Sequence, residues 1–354
     1  MQTRASLMGL LLFLSPLARS VASAATAEAP IPIKVVVVSM FEPGEDTGDA
    51  PGEYQFWVER EHLDHVMPLD AGYHHLRMND QGVLGVLTGV ATAKAAATIM
   101  ALGLDPRFDL SHAYWVVAGI AGGDPADVSL GSAVWAHWVI DGDIAHELDA
   151  REIPTDWPTG YVPLRKSTPY ELPVDAGYGE VYELNPVLVQ WAYALTRDTP
   201  LADTDTIREK RSHFEQAAAK RPPFVTMGDD LSSSTYWHGK KMDEWANAWV
   251  RYYTGDKGNF MVTGMEDTGT LQSLTFLAHA GKVDLKRVLV LRTVSNYDQQ
   301  PAGLSAAQSL AEQKIGKYGA YLPSLEAAYA VGHTVVDTIV AHWSEYRDHL
   351  PSDK

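Results

Sequence analysis

Cysteine is absent from this 354-residue chain, so no disulfide can contribute and stability must come from burial of a core. Cationic side chains are scarce: 28 Lys and Arg stand against 45 Asp and Glu, a formal charge of −17. Such a field repels phosphates and anionic lipid headgroups and argues against a nucleic-acid partner. Long apolar runs are missing too, with one exception. Residues 7–17 are apolar, follow Arg4 and precede Ala22, Ser23 and Ala24. A positive start, a short apolar stretch and small residues at a cleavage point read as an export signal over residues 1–24, removed near Ala25. That run is shorter than the roughly 20 residues a spanning helix needs. The expectation is an exported protein, periplasmic or extracellular, with no integral membrane segment after cleavage. Loss of Arg4 and Arg19 would make it more acidic still. Neither an internal repeat nor a low-complexity tract is found. The 13 histidines give no metal-ligand framework, because His62 with His65 and His74 with His75 lack a third ligand at suitable spacing.

What remains, residues 25–354, is long enough for one large domain. Short apolar runs at 34–38, 83–87, 114–117, 133–140, 224–227, 260–263 and 288–294 predict strands buried on both faces. Helical patterns lie between several of them. The spacing predicts helices over 93–104 after Thr92, over 186–197 after Asn185 and Pro186, and over about 324–349, with Leu325, Ala328, Val336 and Ile339 on one stripe. Segment 203–220 is expected to be a charged helix with a narrow apolar side, its charges a solvated face. Segments 141–183 and 230–259 fit the alternation poorly and read as elaborated loops or lids. The fold class is therefore α/β, a single domain with a mixed, substantially parallel central sheet flanked by helices.

Two distant regions carry chemistry. In "LTGVATAKAAAT" and "VVAGIAGGDPADVSLGSAVWA", Gly89, Gly119, Gly122 and Gly123 follow strands and let backbone approach a ligand closely. In "VTGMEDTGTLQSL" and "VLVLRTVSNYD", Glu266, Arg292, Ser295 and Asn296 supply polar groups at strand ends, where open α/β sheets bind their ligands. Together they predict a small-molecule site. Tyr236, Trp237, Trp245, Trp249, Tyr252 and Tyr253 have a helical spacing that suits core or interface; Trp237 precedes the run and is the candidate for stacking on a ligand.

These four segments, in this order, resemble the nucleoside phosphorylase and nucleosidase superfamily. With "YWHGKKMDEWANAWVRYYTGDKGNF" included, the chain after its signal resembles the purine nucleoside permease family, which carries that fold under a transporter's name. The resemblance implies a nucleoside phosphorylase-like fold, a purine nucleoside as ligand and no metal or organic cofactor. It sets Met265 against the apolar face of the sugar and Glu266 on its 2′- and 3′-hydroxyls, although a carboxylate at a helix start has a purely structural use as well. Thr88, Gly89 and Gly122 would belong to the pocket wall. Asn296 stands where many relatives have an aspartate beside N7 of the departing purine, with Ser295 next to it; an amide there hydrogen-bonds the base but donates no full proton. The turn "MFEPGEDTGD" is acidic, and Trp115, Val116 and Val117 occupy the stretch where hexameric phosphorylases have a phosphate-binding arginine. Cleavage of the N-glycosidic bond by water is therefore expected rather than phosphorolysis. Glu42 is the candidate base, Glu45 its alternative, and a solvated turn the plain reading of both; Thr88 and Arg292 would help to hold water and glutamate. The alternative function is a non-catalytic nucleoside-binding component that serves a separate transporter. Relatives of this fold commonly form homo-oligomers.

Overall fold

A computed structural model describes residues 29–313 and 319–352 of the chain. The expected export signal lies outside the described residues. In chain order the strands are β1 (Ile31–Pro32), β2 (Val35–Ser39), β3 (His65–Met67), β4 (Leu76–Met78), β5 (Val83–Leu87), β6 (Phe108–Asp109), β7 (Tyr114–Gly123), β8 (Ala133–Asp141), β9 (Ala145–Glu147), β10 (Tyr161–Pro163), β11 (Val181–Glu183), β12 (Val225–Ser232), β13 (Phe260–Thr263) and β14 (Val288–Tyr297). The helices are α1 (Gln55–Arg60), α2 (Thr92–Gly103), α3 (Pro186–Thr196), α4 (Asp205–Ser212), α5 (Lys240–Thr254), α6 (Asp267–His279), α7 (Ala306–Glu312), α8 (Tyr321–Ala341) and α9 (Trp343–Tyr346).

Ten strands form one mixed sheet. Its centre is the run β5, β2, β7, β14, all parallel, whose valines and leucines are buried on both faces. Antiparallel β4 and β3 extend one side, and antiparallel β11 pairs with β8 on the other. Between these, β7 and β8 each serve three partners. β7 continues past β2 to pair with β13; β13 pairs with β12, β12 with β8, and β8 with β14. The pairing β7–β13–β12–β8–β14–β7 thus closes on itself, and one part of the sheet becomes a small barrel. Helix α8 packs across β7 and β14, and Gly332 lets it lie against the ring of Trp57 on α1. Trp57, Trp115 and Trp135 are fully buried in the main core. Among the described residues no helix is long and apolar enough to cross a membrane.

Several expected boundaries shift, each for a local reason. β12 runs on to Ser232 through Asp229 and Asp230, because the backbone N–H of Trp138 (2.9 Å) and of Gly264 (2.8 Å) donate to their carboxylates. Segment 230–259 is no loop: α5 occupies half of it, turns Trp245, Trp249 and Tyr253 inward onto Trp237 and Phe260, and ends at left-handed Gly255. Segment 141–183 keeps much irregular chain but contains the hairpin β9–β10 and strand β11. Within 203–220 only α4 is helical; Thr204 caps it, and Arg211 is drawn into a paired ion bridge with Asp203 at 2.6 and 3.0 Å. The closing helix breaks at His342 between α8 and α9. Asn185 caps α3 as expected, accepting from the N–H of Val187 at 3.1 Å with Pro186 next to it.

Candidate functional site

The carboxyl ends of parallel β2, β7 and β14 open on the same side, and so does the chain leaving β5. A cavity lies there, bounded by Met40 and Phe41 after β2, Val90 after β5, Ile120 and Gly122 of β7, and the last residues of β14. Its remaining wall comes from segment 235–237 and from the turn 263–266 that leads into α6.

The floor is ionic. Arg292 on β14 is 1 % exposed, a position that burial alone forbids to a cation without partners. Its Nε donates to both oxygens of Asp267 (3.2 and 3.0 Å), Nη2 to Asp267 (2.7 Å) and Glu266 (3.1 Å), and Nη1 to the carbonyl of Ile120 (3.1 Å). Two more buried carboxyls stand near it. Glu53 accepts from the N–H of Met40 (2.9 Å) and Ile120 (2.7 Å), and Asp230 accepts from the N–H of Gly264 (2.8 Å). One guanidinium therefore faces Glu53, Asp230, Glu266 and Asp267. Burial would push Arg292 down, but Asp267, Glu266 and Glu53 hold it above its ordinary value. The carboxyls respond in the opposite sense. Desolvation pushes Glu53 up to about 8 although Arg292 opposes it, raises Glu266 against the same opposition, and lifts Asp230 well above the carboxylate range with Asp267 adding to the effect.

Glycines make this density feasible. A Cβ on Gly119 would sit 2.0 Å from Cε of Met40 and 2.5 Å from Oε1 of Glu53, and one on Gly264 would meet Asp267 at 2.1 Å. The space that Gly119 and Gly264 leave is thus filled by the protein's own side chains. Gly122 borders the cavity.

At one end, Oε1 of Glu266 accepts the N–H of Ala91 at 3.1 Å, and Met265 lies beside it in the wall. Ala91, at φ 79° and ψ 157°, occupies backbone space normally left to glycine, a strain of roughly 1–3 kcal/mol held by its surroundings. At the other end, β14 carries a bulge: Val294 pairs with Ala121 and Asn296 with Gly122, leaving Ser295 unmatched. A bulge re-aims side chains, and here consecutive Ser295 and Asn296 both reach the cavity, followed by Asp298. Ser295 Oγ donates to Oδ1 of Asn296 (2.9 Å), while Nδ2 of Asn296 donates to Oη of Tyr236 (3.2 Å) and the carbonyl of Tyr297 (3.1 Å). Trp237 lines the cavity, packs edge-on to Trp245 with ring centres 6.0 Å apart, and keeps its buried Nε1 without a partner.

Of the residues expected from sequence, the fold brings Arg292, Asn296, Gly122, Trp237, Met265, Glu266 and Ser295 to one cavity. Glu42 is not brought there. Its carboxylate accepts the N–H of Gly52, of Tyr54 (3.0 Å) and of Gln55 (2.7 Å), so it fastens the turn that starts α1. Glu45 lies exposed in the same turn. Thr88 stands one layer behind the wall, its hydroxyl donating to the carbonyls of Ser39 (3.4 Å) and Gly89 (3.1 Å). Gly89, at φ +79°, is covered by the Tyr73 ring, and its neighbour Val90 reaches the cavity in its stead. Glu53, Tyr236 and Asp298 are lining residues that the sequence did not single out.

A profile of the family described as "Purine nucleoside permease (NUP)" matches residues 32–351. A protein of Schizosaccharomyces pombe named "Probable purine nucleoside permease" is 31 % identical over 290 residues, 79 % of this chain and 82 % of that protein. A "Purine nucleoside permease" of Candida albicans is 29 % identical over 264 residues, 73 % of this chain and 64 % of the relative. Among solved structures, the 5′-methylthioadenosine/S-adenosylhomocysteine nucleosidase of Neisseria meningitidis in complex with methylthio-immucillin-A is similar at TM-score 0.49 and 15 % identity, covering 86 % of this chain and 100 % of that one. The futalosine hydrolase of Helicobacter pylori is similar at TM-score 0.49 and 13 % identity, with 86 % and 98 % covered.

Proposed function

The chain belongs to the purine nucleoside permease family, and from that premise we propose that it binds a purine nucleoside in this cavity and cleaves the N-glycosidic bond with water. The observation that carries the reading is the pairing of buried Glu53 with the Arg292–Glu266 cluster at the cavity floor. Oε1 of Glu266 accepts from Ala91 alone and retains a lone pair for a sugar hydroxyl, while Oε2 accepts from Arg292 and, at 3.3 Å, from the N–H of Met265. Glu53 takes the role first expected of Glu42: it accepts a proton from the attacking water. Both carboxylates also favour the positive charge that develops on the sugar as the bond to the base lengthens. Arg292 keeps the two in register. Met265 and Val90 offer apolar surface, and Trp237 a ring face or edge for the base.

Water is favoured over phosphate on electrostatic grounds. A phosphate dianion here would meet Glu53 and Glu266, and the nearest guanidinium already donates to Asp267, Glu266 and Ile120. In this reading the protein is exported to a periplasmic or extracellular location after loss of residues 1–24, and residues 25–354 act as one domain. A second reading has one observation in its favour. Both N–H groups of Asn296 are held by Tyr236 and Tyr297, so this residue offers no free donor to a departing base. That suits a binding component that hands intact nucleoside to a separate transporter. Incubation with inosine, guanosine and adenosine, with and without phosphate, separates the readings. Free base with ribose supports hydrolysis. Ribose 1-phosphate made only with phosphate overturns it, and intact nucleoside with tight binding favours the transport role.

A further inference from the structure

A purine that leaves the sugar takes the bonding electron pair with it and needs a proton on one of its nitrogens. Asn296 cannot provide one, and Glu53 and Glu266 are gathered at Arg292 on the cavity floor. One further acid borders the cavity. Asp298, two residues beyond Asn296, is 1 % exposed; neither carboxyl oxygen accepts from an N–H or a hydroxyl, and its side-chain hydrogen bond is shared with the carboxyl of Asp243. Its backbone is fixed on both sides: its N–H donates to the carbonyl of Gly123 (3.1 Å) and its carbonyl accepts from Gly239 (2.8 Å). Gly122 leaves the gap in front of it, since a Cβ there would lie 3.5 Å from Cβ of Asp298 and 3.6 Å from Nδ2 of Asn296.

Behind Asp298 stand Asp243 of α5 and Asp124 just past β7. Asp127 and Glu244 add negative charge around Asp243; Arg251 acts on Asp124, whose Oδ2 also accepts from Asn247 at 2.9 Å. His238, on the adjoining segment, is engaged with Ser309 at 3.0 Å. Three desolvated carboxyls so arranged cannot all ionise. Burial first, then Asp243 and Asp124, push Asp298 well above the usual carboxylate range, and Asp243 is pushed up to about 7.

We propose that Asp298 is the acid that protonates the departing purine, with Asp243 behind it as the group that reloads it. The proposal rests on the hydrolase reading above. The C–N bond breaks with its electron pair moving to the base, which takes the proton of Asp298. Water oxygen bonds to the anomeric carbon while its proton passes to Glu53. Asp298 recovers a proton through Asp243, Glu53 releases one to solvent, and the sum is nucleoside plus water giving base plus ribose.

The test compares inosine with 4-nitrophenyl β-D-ribofuranoside, whose leaving group departs as an anion and needs no acid. Asp298→Asn should lower kcat on inosine by about 10²–10⁴-fold, the usual share of a positioned acid, and lower it far less on the nitrophenyl riboside. Equal losses on both substrates, or none on inosine, overturn the assignment. Should that variant not fold, the wild-type pH profiles decide: an alkaline fall in kcat/KM with inosine that is missing with the nitrophenyl riboside supports Asp298, and the same fall with both overturns it. Wild-type protein inert towards both substrates overturns the hydrolase reading itself.

Discussion

Arg292 and Asp267 are locked together by three hydrogen bonds of 2.7, 3.0 and 3.2 Å, and neither residue is more than 1 % exposed. Around that pair the other carboxyls of the floor are stacked. The guanidinium is therefore the part of the site on which every neighbouring charge depends.

Replacing that cation should make stability depend steeply on pH. Arg292→Met leaves Glu53, Asp230, Glu266 and Asp267 together without a counter-charge. The expected loss is about 3–5 kcal/mol at pH 8, the usual cost of breaking a buried pair from one side. It should be clearly smaller at pH 5, where the carboxyls can take up protons. Denaturant unfolding of both proteins at the two pH values measures this, and a pH-independent difference would contradict it.

Glu53 gives a second pH signature. Its carboxyl titrates near 8 in the folded protein against an ordinary value of 4.5. Between those values the folded state binds the proton and the unfolded state does not, so stability falls as pH rises. The contribution is fully present below 4.5 and is lost as pH passes through about 8. Glu53→Gln should flatten this part of the profile, which a thermal-shift series from pH 4.5 to 8.5 reads directly.

Turnover should separate Glu53 from Glu42. If Glu53 is the base, kcat/KM for a nucleoside rises with pH towards about 8 as the group ionises, and Glu53→Gln lowers kcat by about 10²–10⁴-fold. Glu42→Gln should act on the turn before α1, costing about 1–3 kcal/mol of stability through backbone N–H groups left unpaired, with a smaller effect on kcat. The reverse pattern would restore the role to Glu42.

Glu266 is expected to read the sugar. A hydroxyl bonded to an ionised carboxylate is worth about 1.5–3 kcal/mol, so a 2′-deoxynucleoside should bind correspondingly more weakly than its ribo counterpart. In Glu266→Gln the gap between the two sugars should narrow. Calorimetric titration of both proteins with both ligands checks it, and equal affinities in the wild type would remove the diol from the argument.

The parallel strands were legible because their valines and leucines are buried on both faces and need no partner outside the sheet to explain them. The second half of β12 was not: Asp229 and Asp230 read as loop until Trp138 and Gly264 supply the N–H groups that make a buried carboxylate tolerable. Helix α5 was obscured by the surrounding Gly and Tyr, although its Trp245 and Trp249 already stood one turn apart. The site divides the same way. Glu266 and Arg292 stand in recognisable segments, whereas Glu53 is one acid among Glu42, Glu45, Asp46 and Asp49. Its inward place depends on Gly119, far along the chain, where a Cβ would lie 2.5 Å from its Oε1.

Strand β14 also dictates when the site can come into being. Among the described residues it is the last strand in sequence, and yet it lies between β7 and β8, closing the barrel and carrying Arg292, Ser295 and Asn296. During synthesis the edges of β7 and β8 must wait for it, since their paired residues stand 156 to 174 positions apart, and pairing over such separations is slow and leaves hydrogen-bonding edges open meanwhile. The same strand that closes the barrel also lines the cavity, so neither is complete without it.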